Sequence, residues 1–285
     1  MKFILPVLGI ALSCLFFFSC QREIHGDISQ AVTENSGTVL SKYIELDTTL
    51  PSGQDTISVY TFSYDNLKRI KRIYQVKNFP GLNTYYITSD FLYNGNDQTP
   101  YKTIEVDKEG ETYVDTSFYT YSNGLVRSDS SVNYRLNNSE LLFTDVTSFS
   151  VTGNNVFVKL SEATPVSIYE DTATLTITRQ NGNIITQEDP DNTITYSMQL
   201  KYDNSVNPFY NADIHYPIIY EHLINSFNAQ KNNMTEEIDF TKLSGTKSHV
   251  RYVYRYRSDG YPLEVRKLDL LDPNENRKGL FFYTK

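Results

Sequence analysis

The sequence contains no tryptophan and only two cysteines, Cys14 and Cys20, among its 285 residues. Both cysteines lie in an apolar N-terminal leader, so the remainder of the chain has neither a thiol nor a disulfide. Thiol proteases, cysteine-ligated zinc sites and dithiol redox motifs need cysteine in the folded part and are therefore excluded. The folded part must be stabilised by its hydrophobic core, without covalent cross-links.

Positive charge is also scarce. The chain has 26 Lys and Arg against 34 Asp and Glu, which gives a formal net charge of −8. Nucleic acid and anionic membrane surfaces would repel such a chain, so neither is expected as an electrostatic partner. The 39% of hydrophobic residues, with 23 Tyr and 16 Phe, is ample for the core of one large or two small domains.

The N-terminal leader has the pattern of a lipoprotein signal. Lys2 precedes the apolar run Phe3–Phe18, which is shorter than the ~20 residues of a membrane-spanning helix. Ser19 places a small residue before Cys20, as signal peptidase II requires, because the cysteine thiol receives the diacylglycerol anchor. We predict cleavage before Cys20 and acylation of its thiol, with Cys14 as the rival site and an uncleaved signal anchor as the other alternative.

A polar segment follows the leader. Residues 21–37 lack any hydrophobic period and are rich in Ser, Thr, Asn and Gly, which is typical of a flexible tether. The sequence therefore predicts three parts. They are a signal peptide at 1–19, a lipid-anchored tether at 20–37 and a single β-rich domain at 38–285.

A degenerate hairpin unit recurs in the β-rich part. Each copy has an aromatic-x-Tyr segment, a short turn of Asp, Asn, Ser or Gly, and an aliphatic residue that starts the next strand. Alternating aromatics fit one half-buried sheet face, and we interpret the tyrosines as hairpin packing rather than a ligand-stacking platform. We predict tight turns at Gly124 and Gly260. The copies begin near Tyr60, Phe91, Phe118, Leu200 and Tyr252.

One segment departs from the β pattern. Ile219, Leu223 and Phe227 recur every four residues, and polar residues take the opposite face. Pro217 suits the first turn of a helix. The predicted fold class is mainly β: a large antiparallel sheet of successive hairpins, with one amphipathic helix near 217–229 packed on it.

The leader, the hairpin units and the stretch Tyr202–Phe209, followed by Lys231-Asn232-Asn233, carry a family resemblance. Together they are similar to uncharacterised lipoproteins of Bacteroidetes, and the hairpin unit resembles the YD repeat of Rhs-type proteins in degenerate form. The resemblance covers most of the chain after the leader. It implies an outer-membrane lipoprotein of the cell envelope built on an antiparallel sheet. It carries no known active site, so no catalytic residue is transferred.

The densest group of potential metal ligands lies around the predicted helix. It comprises Asp213, His215, Glu221 and His222. His215 precedes the helix, and consecutive side chains on a helix point about 100° apart, so the group lacks the convergent spacing of a zinc motif. We retain the four residues as binding candidates and predict neither a metal nor a cofactor. A run from Asp272 imitates a calcium loop but lacks its turn glycine and closing glutamate.

Catalytic motifs are absent from the sequence. It has no Gly-x-Ser-x-Gly elbow, P-loop or dinucleotide fingerprint. Adjacent acids such as Glu236-Glu237 do not indicate a glycosidase, because its two carboxyls must face each other across a cleft, roughly 5 to 9 Å apart. We predict no catalytic residue.

Three functions remain open at this stage. The favoured one is a non-catalytic envelope lipoprotein, attached to the membrane through Cys20, that binds a glycan, peptide or protein partner or has a structural role. The absence of Trp weakens the glycan version, although Tyr can also stack on sugars. The alternatives are a hydrolase of envelope or dietary polymer with unidentified carboxylates, and a lipid carrier. Either face of the outer membrane is open, and a concave polar pocket would be the most informative structural feature.

Overall fold

Alternating polar and apolar residues form strands throughout the described chain. The structure, a computed structural model, describes residues 39–78, 84–97, 99–109, 111–122, 125–136, 140–152, 155–181, 183–188, 196–209, 232–241 and 245–284. In β2, for example, Tyr60 and Phe62 are buried while Thr61 and Ser63 are exposed, as the two-residue period of a strand requires. The strands are β1 Val39–Asp47, β2 Thr56–Tyr64, β3 Ile70–Asn78, β4 Thr84–Leu92, β5 Lys102–Glu109, β6 Glu111–Ser122, β7 Leu125–Arg135, β8 Glu140–Thr152, β9 Asn155–Ala163, β10 Ile168–Gln180, β11 Asn183–Glu188, β12 Tyr196–Val206, β13 Asn232–Thr241, β14 Gly245–Tyr256, β15 Pro262–Asp269 and β16 Arg277–Thr284.

Consecutive strands pair antiparallel, and the first strand pairs with the last. The β1–β16 ladder runs from Val39 opposite Thr284 to Asp47 opposite Arg277. Every described strand therefore has a neighbour on both sides, and the sheet closes into a barrel. Closure leaves no strand edge whose N–H and C=O groups could pair with another chain. The predicted antiparallel sheet of successive hairpins is confirmed.

Helix contributes almost nothing to the described residues. Their one helical turn, Pro273–Glu275, is capped by Asp272, whose carboxylate accepts a bond from the N–H of Asn274 at 3.0 Å. Contrary to the expectation of an amphipathic helix packed on the sheet, the described residues contain no helix longer than this turn. The segment near 217–229 itself lies outside the described residues. In the described part of the chain, no helix has the length and apolarity to cross a membrane.

An aromatic cluster forms the centre of the core. Tyr43 is fully buried, and its ring centroid lies 5.9 Å from that of Tyr60, 5.0 Å from that of Phe281 and 5.7 Å from that of Phe209. Each aromatic pair stabilises the fold by roughly 0.5–1.5 kcal/mol beyond its buried area. Gly279 makes room for this cluster, since a Cβ there would lie 2.7 Å from Cε2 of Tyr43. We call the sheet face that carries these rings the inner face.

The opposite, outer face carries ion pairs near the ends of strands. Arg72 on β3 donates two bonds to the carboxylate of Asp90 on β4, at 2.5 and 2.7 Å. Glu264 on β15 contacts Arg266 at 3.1 Å and Lys278 at 3.2 Å.

Two turns differ in how they reach a positive φ. Gly260 has φ +87°, and its N–H donates to the carbonyl of Arg257 at 3.2 Å, so the predicted tight turn is confirmed there. Gly124 lies outside the described residues. The β2–β3 turn has no glycine, and Lys68 takes φ 61° in its place, with its N–H donating to the carbonyl of Asp65 at 3.0 Å. The hairpin unit therefore tolerates loss of its glycine at the cost of local strain.

Candidate functional site

Tyrosines at one end of the sheet make a repeated hydrogen bond, and we call them latch tyrosines. Each lies just beyond the last pair of the ladder between an even-numbered strand and the strand before it. Its hydroxyl donates to a backbone carbonyl at or near the start of that earlier strand. This bond fastens two strands where their ladder has ended. The described latches join Tyr64 to Leu40 at 2.6 Å, Tyr93 to Ile70 at 2.8 Å, Tyr121 to Pro100 at 2.7 Å, Tyr202 to Ile184 at 2.8 Å and Tyr283 to Pro262 at 2.9 Å.

The latches share one register. In the first, the β1–β2 ladder ends at Lys42 opposite Thr61, Tyr64 follows three residues later, and Leu40 precedes by two. The other four have the same spacing from the last paired residues of their ladders. The tyrosines of the hairpin unit therefore have a structural role, since each bonds a backbone carbonyl beyond the last pair of its own ladder.

Arginines in two turns make cation–π contacts with latch tyrosines. The guanidinium of Arg69 lies 4.2 Å from the ring centroid of Tyr93 and donates to Asp65 at 2.7 Å. At the β14–β15 turn, Arg257 lies 5.1 Å from the ring centroid of Tyr283 and pairs with Asp259 at 2.9 Å. Each arginine thus joins an aspartate of its own turn to the latch tyrosine of the next strand pair, by a cation–π contact and an ion pair.

The latch pattern is interrupted at β13 and β14. Their ladder ends at Glu236 opposite Arg251, so Tyr254 holds the latch position. Its hydroxyl oxygen is buried and has no hydrogen-bond partner in the described part of the chain. Tyr256 stacks on it instead, with ring centroids 5.6 Å apart and planes inclined by 19°. The interruption therefore places a second tyrosine at this end of the sheet.

Tyr256 connects this interruption to the end of β12. Its hydroxyl donates to the carboxylate of Asp203, and the amide of Asn233 lies 3.4 Å from the hydroxyl oxygen. Burial, with the neighbouring carboxylate, raises the pKa of Tyr256, so its hydroxyl stays a neutral donor. The other carboxylate oxygen of Asp203 accepts the N–H of Ser205 at 2.8 Å. Asp203 is thus held in place by bonds from both sides.

A concave pocket lies beside Asp203, between the β10–β11 turn and the end of β12. Its volume is about 360 Å³, within the range of small-molecule sites. The β11–β12 ladder has only three residue pairs, ending at Thr186 opposite Gln199, and the strands separate beyond it to leave this space. We call it the amide pocket, because most of the polar residues that line it are amides. Its polar lining is Gln180, Asn181, Asn183, Asn204, Asn232, Lys201, Tyr202 and Asp203.

Part of this lining is fixed by internal hydrogen bonds. The side-chain amide of Asn183 donates to that of Asn232 at 3.0 Å and accepts the backbone N–H of Asn232 at the same distance. Asn232 also donates to the carbonyl of Ser205 at 3.0 Å. Asn181 takes φ 54° in the adjacent turn, a conformation that asparagine tolerates better than most residues. The pocket wall is therefore preorganised, while Gln180 and Asn204 are exposed at its mouth.

Lys201 is the one cationic residue of the pocket lining, and its amine is already paired. It contacts the carboxylate of Glu236, which also accepts His249 Nε2 at 2.8 Å. The hydrogen bond from Lys201 has the larger effect and that from His249 the smaller, and together they lower the pKa of Glu236 to about 2. Asp203 is therefore the charged residue of the pocket lining that forms no ion pair with any described residue.

A second polar group lies on the inner face across β4, β5 and β6. Glu105 and Asp115 are direct cross-strand partners. Burial, with the charges of Asp115 and Asp107, raises the pKa of Glu105 to about 7 even though Ser89 donates to it at 2.9 Å. Burial likewise raises the pKa of Asp115, despite a bond from Ser117 at 3.0 Å. Among the described residues, no group of three or more His, Cys, Asp and Glu is placed to hold a metal ion.

The residues singled out from the sequence lie elsewhere. Asp213, His215, Glu221 and His222 are outside the described residues, and so is Cys20. Sequence reasoning missed the amide pocket, because its residues come from four separate strands and no local motif joins them. One signal was present: Tyr202-Asp203-Asn204 repeats Tyr64-Asp65-Asn66 but lacks the arginine that follows the first copy.

Comparisons with known proteins add a fold likeness. No family model matches the chain, and no curated protein sequence is similar to it. The crystal structure of a porin-like protein from Bacteroides uniformis is 14% identical, with a TM-score of 0.50 over 87% of this chain and 99% of that one. A porin-like protein from Bacteroides vulgatus is 11% identical, with a TM-score of 0.51 over the same shares. At these identities the chain shares their fold, and its function has to be argued from its own residues.

Proposed function

We propose that this chain is a non-catalytic binding protein of the cell envelope, and that the amide pocket holds an oligosaccharide. The observation that supports the proposal is the preorganised pocket of about 360 Å³ beside the latch of Tyr202, where β11 and β12 separate. Ligand sites are typically concave, largely preformed and lined with a few fixed polar groups. The amide pocket has these properties.

The chemistry of the lining favours a hydroxyl-rich ligand. A side-chain amide both donates and accepts, and a sugar hydroxyl does the same, so the two groups match without any change of charge. Gln180 and Asn204 offer such amides at the mouth, and Tyr202 adds an aromatic side chain to the wall. Tyrosine can serve as the stacking surface in a protein without tryptophan.

The envelope location rests on the leader. Its charged start, short apolar run and Ser19-Cys20 cut favour an outer-membrane lipoprotein anchored through Cys20. The porin-like proteins that share the fold come from Bacteroides species, which agrees with the Bacteroidetes lipoproteins that the sequence resembles. An anchored protein with a ligand pocket suits capture of glycan fragments at the envelope.

Calorimetric titration of the purified full chain in detergent, against a panel of short oligosaccharides, tests the pocket. We expect Asn204→Ala to weaken binding of the best ligand by about fivefold or more, the effect of losing one hydrogen bond. Asn66→Ala is the matched control. It removes an exposed asparagine from the same Tyr-Asp-Asn motif, far from the pocket, and should bind as the unaltered chain does.

Four results would overturn the proposal. Binding of no oligosaccharide would remove the ligand class, and an equal loss in Asn66→Ala would remove the pocket. Cleavage of a bound oligosaccharide, followed by mass spectrometry and lost in Glu105→Gln, would favour the hydrolase alternative. Tight binding of a fatty acid in place of sugar would favour the lipid carrier.

A further inference from the structure

Two copies of the same motif differ in one charge. In Tyr64-Asp65-Asn66 the tyrosine is the last residue of β2, and Tyr202-Asp203-Asn204 lies within β12. Both copies begin three residues after the last pair of their ladder. Both tyrosines are latches. Both aspartates accept the backbone N–H two residues later, Leu67 in the first copy and Ser205 in the second, each at 2.8 Å. The copies can therefore be compared residue by residue.

In the first copy the aspartate is neutralised within the protein. Arg69, four residues after Asp65, donates to its carboxylate at 2.7 Å and lies against the ring of Tyr93. The guanidinium also donates to the carbonyls of Gly95 and Asp97, at 2.8 and 2.6 Å. The guanidinium group therefore joins two turns, and its charge is paired within the protein.

In the second copy the arginine is missing. The residue four positions after Asp203 is Asn207, which is fully buried and accepts the N–H of Phe209 at 3.0 Å. Tyr256 takes the place of the guanidinium: it stacks on Tyr254 and donates to Asp203. A hydroxyl replaces the hydrogen bond but not the positive charge. Asp203 therefore lines the pocket as an anion without a cationic partner among the described residues.

We propose that Asp203 receives the protonated amine of an amino sugar, so that the ligand of the amide pocket is an oligosaccharide with a free amino group. This rests on the proposed function of the pocket and names its ligand class. A carboxylate has about four lone-pair positions, and Ser205 and Tyr256 occupy two of them, which leaves acceptors for an ammonium group. A charge-assisted bond of this kind is roughly twice as strong as a neutral one.

The fixed orientation of the Asp203 carboxylate favours this role. Bonds from Ser205 and Tyr256 fix both carboxylate oxygens, so little side-chain entropy is lost when the ligand binds. Lys201, two positions before Asp203 on β12, does not compete for Asp203, because its amine is paired with Glu236. The site thus selects a cation at one point and hydroxyl groups around it.

A pair of trisaccharides that differ only in acetylation provides the test. The full chain in detergent is titrated at pH 6 and low salt with a trisaccharide of glucosamine and with the same trisaccharide fully N-acetylated. We expect the free amine to bind about tenfold more tightly. Asp203→Asn keeps the acceptor for the N–H of Ser205, places its NH2 where it can donate to the hydroxyl oxygen of Tyr256, and removes the negative charge. It should remove this preference, while Asp65→Asn, the matched control, should keep it.

The outcomes separate this inference from the proposed function. If both trisaccharides bind equally and Asn204→Ala weakens both, the pocket stands and the cation site is wrong. If Asp203→Asn retains the tenfold preference, the cation site is also wrong. Tighter binding of a trilysine peptide than of the glucosamine trisaccharide, lost in Asp203→Asn, would replace the amino sugar by a basic peptide. If neither trisaccharide binds while another oligosaccharide of the panel does, the amino sugar is wrong and the proposed function stands.

Discussion

A buried tyrosine hydroxyl stabilises this sheet only where it makes a hydrogen bond. Tyr64 does so, with the carbonyl of Leu40 at 2.6 Å, whereas the hydroxyl of Tyr254 is buried without a partner among the described residues. A buried polar group with a partner contributes to stability, and one without a partner costs its desolvation. The same residue type in the same register therefore has opposite energetic roles.

Removing these two hydroxyls should have opposite effects. Tyr64→Phe leaves the carbonyl of Leu40 without its donor and should lower the free energy of unfolding by about 1–2 kcal/mol. Tyr254→Phe removes a hydroxyl that has no described partner and should be neutral or slightly stabilising. Urea denaturation of both variants measures the difference. Equal destabilisation by the two substitutions would show that the latch bond does not contribute.

The turn without a glycine offers a second residue-scale prediction. Lys68 holds φ 61°, which costs a residue with a Cβ about 1–2 kcal/mol. Lys68→Gly should therefore raise the free energy of unfolding by up to about 1 kcal/mol, since part of the gain is lost to the entropy of the unfolded chain. Lys68→Ala keeps the strain and serves as the control. A melting temperature that rises as much in Lys68→Ala would assign the effect to charge.

Gly260 gives the converse case. No atom lies within 4 Å of the position its Cβ would take, so a substitution there is opposed by its φ of +87° alone. Gly260→Val should lower the free energy of unfolding by about 1 kcal/mol or more, because a β-branched residue resists positive φ. Gly260→Asn should cost less. Unchanged melting of the valine variant would contradict the role of the turn.

At the scale of elements, the hairpins were predictable and their assembly was not. The two-residue period and turn residues of segments such as Val59–Tyr64 are local signals, and they predicted strands that the structure contains. The pairing of β1 with β16 joins the two ends of the described chain, and no local pattern encodes it. The amide pocket arises where β11 and β12 separate, a consequence of ladder length that a single strand does not reveal.

The inner-face acids of β5 and β6 should make stability depend on pH. The pKa of Glu105 is raised to about 7, so between its usual value near 4.5 and pH 7 the folded state binds a proton that the unfolded state has released. Stability therefore falls as pH rises through this window, by up to about 3 kcal/mol from Glu105. The raised pKa of Asp115 acts in the same direction.

Urea denaturation between pH 4.5 and 8 measures this slope. Glu105→Gln keeps an acceptor for Ser89 without a charge and should flatten the curve. Glu236→Gln is the control, because the pKa of Glu236 is lowered to about 2 and that carboxylate does not titrate in the window. A slope that persists in Glu105→Gln would show that other groups cause it.

For the whole molecule, the distribution of charge over the two sheet faces decides how it can meet a membrane. Aromatic side chains such as Tyr43 pack together on the inner face, while the outer face carries ion pairs such as Arg72 with Asp90. Placing these strands in lipid would desolvate the outer charges. Attachment through a lipid at Cys20 involves no such cost, since only the acyl chains enter the bilayer.

Cys20→Ala tests this arrangement in the living cell. The variant lacks the thiol that accepts the diacylglycerol, so it should not incorporate a palmitate probe and should move from the membrane pellet to the soluble fraction. Cys14→Ala is the control and should remain acylated and in the pellet, because the predicted cleavage removes residue 14. Palmitate labelling that persists in Cys20→Ala and is lost in Cys14→Ala would move the anchor to Cys14. Retention of unlabelled Cys20→Ala in the pellet after a carbonate wash would show that the strands or an uncleaved leader hold the chain in the membrane.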